Sequence, residues 1–288
     1  MFNSIQELVA LAQKRGLPLW QVMLSQEAEV SGRGEEDIIE EMAGNYRVMK
    51  EAARAGIQGV TTHSGMCGGD AKRLYDYLQK GSFITDPTLL KAACYAIATN
   101  EVNAAMGRIC ATPTAGSAGV LPGVMLALQE KYGLPDAAIV RHLFTAGAVG
   151  FVIANRASIS GAAGGCQAEI GSASAMAAAA VTELMGGTPH QAAHAMALAL
   201  KNMLGLVCDP LAGLVEVPCI KRNAAGASNA LLTAELALAG IESKVPWDEV
   251  IEAMYQIGCA LPATFKETAQ DGLAASPTGE EWKRLLWS

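Results

Sequence analysis

The sequence predicts an all-α fold, a compact helical domain with glycine-rich loops between apolar helices. Hydrophobic residues make up 51% of its 288 residues, and long segments repeat apolar residues with the period of a helix. Alternating runs of β-branched residues, which would indicate strands, are nearly absent. Helices that are apolar nearly all round are buried inside a helical assembly, and a chain of this length can enclose a substantial core.

The N-terminal third is the more charged part of the chain and predicts amphipathic helices. Ser4 and Glu7 form a capping-box pattern at the start of the first helix. Asp86 followed by Pro87 is typical of a cap with a proline in the first turn. The helices predicted here are Ile5–Arg15, Glu35–Ala55, Asp70–Lys80 and Asp86–Gly107.

From about Thr112 the composition shifts to alanine, glycine and leucine. The helices predicted in this part are Pro122–Tyr132, Pro135–Ala154, Gln167–Met185, Pro189–Met203, Ile220–Ala239 and Pro246–Cys259. The apolar run Leu143–Ala154 is too short for a membrane span, so we expect a buried core helix and no membrane contact. We expect residues 1–270 to form a single domain and the polar segment 271–288 to be a loosely held tail.

Charge and cysteine content limit the classes of function. A net charge of −7 provides no basic surface for nucleic acid. The first residues lack the basic region and apolar core of a signal peptide. The seven cysteines are odd in number and scattered, which is typical of a reducing compartment. We therefore expect a cytoplasmic protein.

Three cysteines lie in segments rich in glycine and proline, namely Cys166, Cys208 and Cys219. Soft thiolates bind iron–sulfur clusters, zinc or copper(I), and three ligands would leave one metal position open. Their spacing matches no compact iron–sulfur pattern and includes no C-x-x-C pair. Spacing alone therefore leaves buried structural thiols as an equally good interpretation.

The segments around these cysteines resemble the α chain of the iron–sulfur-dependent L-serine dehydratases (L-serine ammonia-lyases). Thr62–Asp70, Thr112–Gly123 and Lys221–Ala230 resemble that family too, and the similarity runs over nearly the whole chain. The resemblance implies that the three cysteines hold a 4Fe-4S cluster whose uncovered iron binds L-serine. It also implies β-elimination of water from serine, with pyruvate and ammonia as products.

The glycine-rich segment Thr62–Asp70 provides the first candidates for direct contact with this substrate. His63 ranks first among the four histidines as the base that removes the α-proton. The alternative role for His63 is to orient the turn as a loop or cap residue. Ser64 and Gly65 are candidate substrate contacts.

The segment Thr112–Gly123 resembles an anion cradle that leads into a helix. Backbone N–H groups at a helix N-terminus bind carboxylates, so Thr114, Gly116 and Ser117 are candidate contacts to the serine carboxylate. A tight connection between helices is the alternative interpretation. Asn223, which follows Cys219 and two basic residues, is a further candidate for substrate binding or for tuning the cluster.

His190 and His194 are spaced i, i+4 on a predicted helix, and such a pair can bind a metal. No third ligand is evident in the sequence, and a partly exposed helix face is the alternative. Two other interpretations of the whole chain remain open. A pyridoxal-phosphate dehydratase could cradle phosphate at 115–119 but needs an α/β fold with a Schiff-base lysine. A non-catalytic helical subunit would use its thiols as core residues.

The length of the chain bears on its partner. Some members of the resembled family are single polypeptides with a β-type region ahead of the α-type region, and 288 residues correspond to the α region alone. The resemblance therefore implies a separate β chain, in a heterodimer or larger assembly, that completes the active site.

Overall fold

The computed structural model describes all 288 residues, Met1–Ser288, and confirms the all-α prediction. The helices are α1 (Ile5–Arg15), α2 (Leu19–Ser31), α3 (Glu35–Gln58), α4 (Asp70–Leu78), α5 (Pro87–Ala104), α6 (Val120–Tyr132), α7 (Asp136–Arg156), α8 (Gly161–Gly164), α9 (Ser172–Leu184), α10 (Pro189–Lys201), α11 (Cys219–Leu238), α12 (Trp247–Ala260) and α13 (Pro277–Trp287). A π-helical turn at Gln167–Gly171 leads into α9. The only β-type pairing is an isolated bridge between Cys208 and Lys266.

Every helix predicted from the sequence is present, but the prediction omitted α2. The residue before α2, Pro18, makes no side-chain cap hydrogen bond. Instead, the Glu183 carboxylate of α9 accepts hydrogen bonds from the backbone N–H groups of Leu19 (2.5 Å) and Trp20 (3.3 Å). The signal that starts α2 therefore lies far away in the sequence, where a local pattern does not reveal it.

The C-terminal segment 271–288, which we expect to be a tail, contains the helix α13, which the sequence analysis does not predict. Ser276 caps this helix by accepting a hydrogen bond from the Gly279 N–H (3.1 Å). The indole N–H of Trp287 donates to the carbonyl of Ala212 (3.0 Å), which joins α13 to the chain between two of the candidate cysteines. The division of the domain at residue 270 stays a prediction.

Carboxylates from distant helices also cap α1 and α4. Asp248 accepts from the N–H groups of Ile5 (2.9 Å) and Gln6 (3.0 Å) at the start of α1. Glu101 of α5 accepts from the Asp70 N–H (2.7 Å) at the start of α4. A negative charge is favourable at the positive end of a helix dipole, so these contacts hold together helices that are remote in the sequence.

Glycine lets α5 approach its neighbours closely. A Cβ atom on Gly56 of α3 would lie 2.3 Å from the carbonyl oxygen of Ala98, and one on Gly123 of α6 would lie 2.6 Å from that of Ala92. Real Cβ atoms do not approach backbone this closely, so larger residues would push the helices apart. The core that results is a single large cluster of 56 buried residues.

Helix α7 is long and apolar enough to cross a membrane by length and composition alone. Within the fold, however, 61% of its most apolar window is buried. It packs mainly against α2 and α9. A helix buried to this degree is typical of the core of a folded domain, which is what the sequence analysis predicts for the apolar run at 143–154.

His194 fastens the connection between α11 and α12 to α10. The residue is only 7% exposed. Its Nδ1 atom accepts hydrogen bonds from the Ser243 backbone N–H (3.0 Å) and from the Trp247 indole N–H (3.1 Å). Burial lowers the pKa of His194; His190, Lys201 and Lys244 lower it further, and Glu242 opposes them. The folded protein therefore favours neutral His194.

We predict that Gly123→Ala destabilises the protein by about 1–3 kcal/mol, because the added methyl group would collide with the α5 backbone. Gly147→Ala in α7 is the matched control, since nothing lies within 4 Å of the added Cβ atom. It should be neutral or stabilise by up to about 1 kcal/mol through helix propensity. Urea unfolding of both variants tests the pair, and equal free energies of unfolding would contradict the packing argument.

We predict that the unfolding midpoint falls as the pH drops below about 6.5, the ordinary pKa of histidine. There the unfolded chain takes up a proton that the folded His194 binds less readily, so acid favours unfolding. His194→Asn, which keeps an acceptor near the Nδ1 position, should reduce this pH dependence. Thermal unfolding at pH 7.5 and pH 5.5 measures the effect. His142→Asn is the control, and an unchanged pH dependence in His194→Asn would refute the assignment.

Candidate metal centre

The three candidate cysteines converge on one buried site. Cys166 lies between α8 and the π-helical turn, Cys208 lies in the connection after α10, and Cys219 begins α11. All three are free thiols and are at most 8% exposed. Backbone hydrogen bonds join the three segments: the Gln167 N–H, next to Cys166, donates to the Leu206 carbonyl (2.9 Å), and the Leu211 N–H donates to the Val217 carbonyl (2.9 Å), two residues before Cys219. The other cysteines lie outside this group: Cys67 packs in a separate apolar cluster with Ile220, and Cys94 donates to the Ala71 carbonyl.

The thiols are strongly desolvated. Burial raises the pKa of Cys166 to about 11. Burial, followed by neighbouring acidic groups, raises the pKa of Cys208 and Cys219 still further. Because a thiolate is the metal ligand, a bound metal must displace these protons. Free thiols that lie close together are soft donors, which suit zinc, copper(I) or an iron–sulfur cluster.

A carboxylate that the sequence analysis missed, Glu169, lies at this site. Its Oε2 atom is 4.0 Å from the Cys208 sulfur, and its Oε1 atom accepts from the Thr114 hydroxyl (2.7 Å). Burial raises the pKa of Glu169. A Cβ atom on Gly161 would lie 2.6 Å from Glu169 Oε2 and 3.1 Å from the Cys208 sulfur, so glycine is needed there. The π-helical turn contains Glu169, and no sequence pattern pointed to it.

A second missed carboxylate, Glu216, connects the Thr62–Asp70 loop to the cysteines. Glu216 is 4% exposed and stands three residues before Cys219. Its Oε2 atom accepts from the Ser64 hydroxyl (2.8 Å), and that hydroxyl accepts from the Met66 N–H (3.0 Å). Both predicted substrate loops thus reach the cysteine site through a hydroxyl–carboxylate hydrogen bond.

Ser117 and Asn223 are fully buried and use their polar atoms within the protein. The Ser117 hydroxyl donates to the Thr112 carbonyl (3.3 Å). The Asn223 amide donates to the carbonyls of Gly116 (2.7 Å) and Cys219 (2.9 Å), and its Oδ1 accepts from the Gly119 N–H (3.0 Å). These contacts brace the loop against the start of α11. A direct contact of either side chain with substrate stays a prediction.

The remaining predicted residues lie in the same two loops, Thr62–Asp70 and Thr112–Gly123. Gly116 faces Glu169, since a Cβ atom there would lie 3.2 Å from Oε1. His63 is exposed in the Thr62–Asp70 loop, and Gly65 turns this loop with a φ of +74°. The structure brings the loop of His63 to the cysteine site through Ser64, while the role of His63 as a base stays a prediction.

A second cluster of possible metal ligands consists of His190, His194 and Glu242. The ligand atoms lie within 4.8 Å of one another, so a third candidate does exist beside the histidine pair. Nδ1 of His194 accepts two N–H hydrogen bonds, however, which places the proton of the neutral ring on Nε2. That nitrogen lies 4.0 Å from Glu242 Oε1. A metal at Nε2 would require a proton on Nδ1, so these residues do not fit a metal bound through His194.

Comparison with known proteins identifies the family to which this chain belongs. The family model described as "Serine dehydratase alpha chain" matches residues 14–274. A "Probable L-serine dehydratase, alpha chain" of Bacillus subtilis (strain 168) is 56% identical over 287 residues, covering 100% of this chain and 96% of that protein. The "L-serine dehydratase, alpha chain" of Peptoniphilus asaccharolyticus is 44% identical over 285 residues, covering 99% and 98%.

A longer relative shows how this chain corresponds to single-polypeptide proteins. The "L-serine dehydratase" of Streptomyces coelicolor is 39% identical over 283 residues, which cover 96% of this chain but only 61% of that protein. The family match spans far more than half of this chain, and the two α chains match it almost end to end. This chain therefore belongs to the serine dehydratase α-chain family.

Proposed function

We propose that this chain is the α subunit of an iron–sulfur L-serine dehydratase, which converts L-serine to pyruvate and ammonia. The observation that carries the proposal is the convergence of Cys166, Cys208 and Cys219, free and buried, in a member of this family. Loss of the α-proton and the β-hydroxyl group gives water and 2-aminoacrylate. Hydrolysis of its imine tautomer then releases pyruvate and ammonia.

The hydroxyl group of serine is a poor leaving group, so the reaction needs an electrophile. A 4Fe-4S cluster held by the three cysteines would supply an iron with an open position, a Lewis acid for the substrate oxygens. The buried position of the three cysteines suits this role, because electrostatic interactions are strong where water is excluded.

The chain itself supplies the means to hold the substrate carboxylate. The loop before α6 is braced by Asn223 and Ser117, and we propose that backbone N–H groups of this loop bind the carboxylate. Glu169 fixes the Thr114 hydroxyl, and Glu216 fixes that of Ser64. These bonds pre-position two hydroxyl groups, on separate loops, next to the cysteine site.

His63 is the base that we propose for the α-proton. Its ring is exposed on the loop that Ser64 ties to Glu216, so it can reach a ligand from the solvent side. The pyridoxal-phosphate alternative is not favoured, because the fold has no strand or sheet to place a Schiff-base lysine.

The proposed partner is a separate β chain, in a heterodimer or a larger assembly. Two relatives that this chain covers almost completely are named α chains, whereas the longer Streptomyces protein is not. We further propose that the complex acts in the cytoplasm, where reduced thiols persist.

We predict that replacing Cys166, Cys208 or Cys219 by alanine abolishes the visible absorbance of the cluster, because each removes one of three ligands. Cys94→Ala is the control for a buried thiol, and Cys259→Ala is the control for an exposed one. Iron, sulfide and visible absorbance are measured after anaerobic reconstitution of each variant. Full iron content in any of the first three variants would remove that cysteine from the site.

We predict that the isolated chain, loaded anaerobically, forms little or no pyruvate from L-serine. Co-expression with a β chain should give a stable complex and serine-dependent pyruvate formation. The control is the complex that carries Cys219→Ala, which should assemble but remain inactive. Full turnover by the isolated chain would disprove the two-chain proposal and leave His63 as the leading candidate for the base.

A further inference from the structure

Arg222 joins the Cys208 segment to the start of α11, where Cys219 lies. It lies on the first turn of α11, three residues after Cys219. Its Nη1 atom donates to the Val207 carbonyl (2.7 Å) and its Nη2 atom to Asp209 Oδ1 (3.1 Å). These two residues flank Cys208. The Cys208 segment is in turn tied to the third cysteine, Cys166, because the Leu206 carbonyl accepts from the N–H of the adjacent Gln167 (2.9 Å).

The ion pair of Arg222 and Asp209 is buried, which makes it costly unless it is fully hydrogen bonded. The two side chains are 19% and 5% exposed. The second oxygen of Asp209 accepts from the Leu273 N–H (2.8 Å), so both carboxylate oxygens are used. The planar fork of arginine can donate in two fixed directions at once, whereas lysine offers a single point charge. Arginine therefore matches a task that requires both the charge and the geometry.

The same carboxylate holds the chain that leads to α13. A Cβ atom on Gly272 would lie 2.6 Å from Asp209 Oδ2, and Gly272 has a φ of +63°. The segment therefore turns tightly over Asp209 before Leu273 donates its N–H. Through Asp209, the position of Arg222 depends on the C-terminal segment as well as on α11.

We propose that Arg222 is a positioning residue for the metal centre. It fixes the Cys208 segment against α11, so that the three sulfurs face one another, and it places a positive charge beside them. This inference rests on the proposed cluster. The charge matters because, apart from the metal itself, Glu169 and three thiolates would place negative charge at the site.

The test uses the reconstituted α–β complex with Arg222→Gln and Arg222→Lys. Arg222→Gln should bind the cluster about 10- to 100-fold more weakly, the range found when groups that support metal ligands are removed. Its reduction potential should become more negative, because a positive charge beside the cluster is lost. Arg222→Lys should restore most of the potential but not the affinity, since its single donor group cannot reproduce the fork. Iron loss to a chelator and an anaerobic redox titration provide the two measurements.

Arg47→Gln is the matched control, because Arg47 also pairs with a carboxylate, Glu40, but on the exposed surface of α3. It should leave both measurements unchanged. If the wild-type complex itself binds no cluster, the proposed function fails. If the wild type binds the cluster and Arg222→Gln keeps both its affinity and its potential, the role of Arg222 is disproved. If Arg222→Gln does not fold, Arg222→Lys decides, and wild-type affinity in that variant would overturn the positioning role.

Discussion

The close approach of α5 and α6 is the constraint on which the candidate site depends. A Cβ atom on Gly119, at the start of α6, would lie 2.1 Å from the carbonyl oxygen of Ala96. The chain therefore enters α6 pressed against α5, and the preceding loop has no freedom to move outward. The Asn223 side chain accepts a hydrogen bond from the Gly119 N–H through Oδ1 and donates one to the Cys219 carbonyl through its amide nitrogen. Helix packing thus sets the distance between the anion loop and a cysteine.

The second constraint is the desolvation of the thiols and the carboxylate at the candidate site. Burial raises the pKa of the three thiols and the buried carboxylate Glu169 raises it further, which adds nothing to the stability of the protein without a ligand. Groups with strongly perturbed pKa values gather where chemistry requires them. Only soft cations, or a fixed cation such as Arg222, reverse the cost of placing thiolates there. The architecture is therefore easier to explain as a prepared binding site than as a core.

Local sequence patterns predicted most of the helices because the required signals lie within each segment. Ser4, Asp86 and the prolines at 189 and 246 mark helix starts that the structure contains. Helix α2 escaped prediction because its cap, Glu183, belongs to another helix. Helix α13 was not predicted because its sequence is polar. It is held to the connection near Ala212 by the hydrogen bond of Trp287. Contacts between distant segments were the missing information in both cases.

The candidate site shows the same division. Glycine-rich context identified the loops. Of the residues predicted to bind substrate through polar side chains, however, Ser117 in a loop and Asn223 on α11 face inward. The carboxylates Glu169 and Glu216 escaped notice because their hydroxyl partners come from other segments. With these side chains engaged inside the chain, backbone N–H groups and the exposed His63 are what remain for a ligand. An exposed base such as His63 is shielded from water only when another surface covers it, which is the physical reason to expect the proposed β chain at this loop.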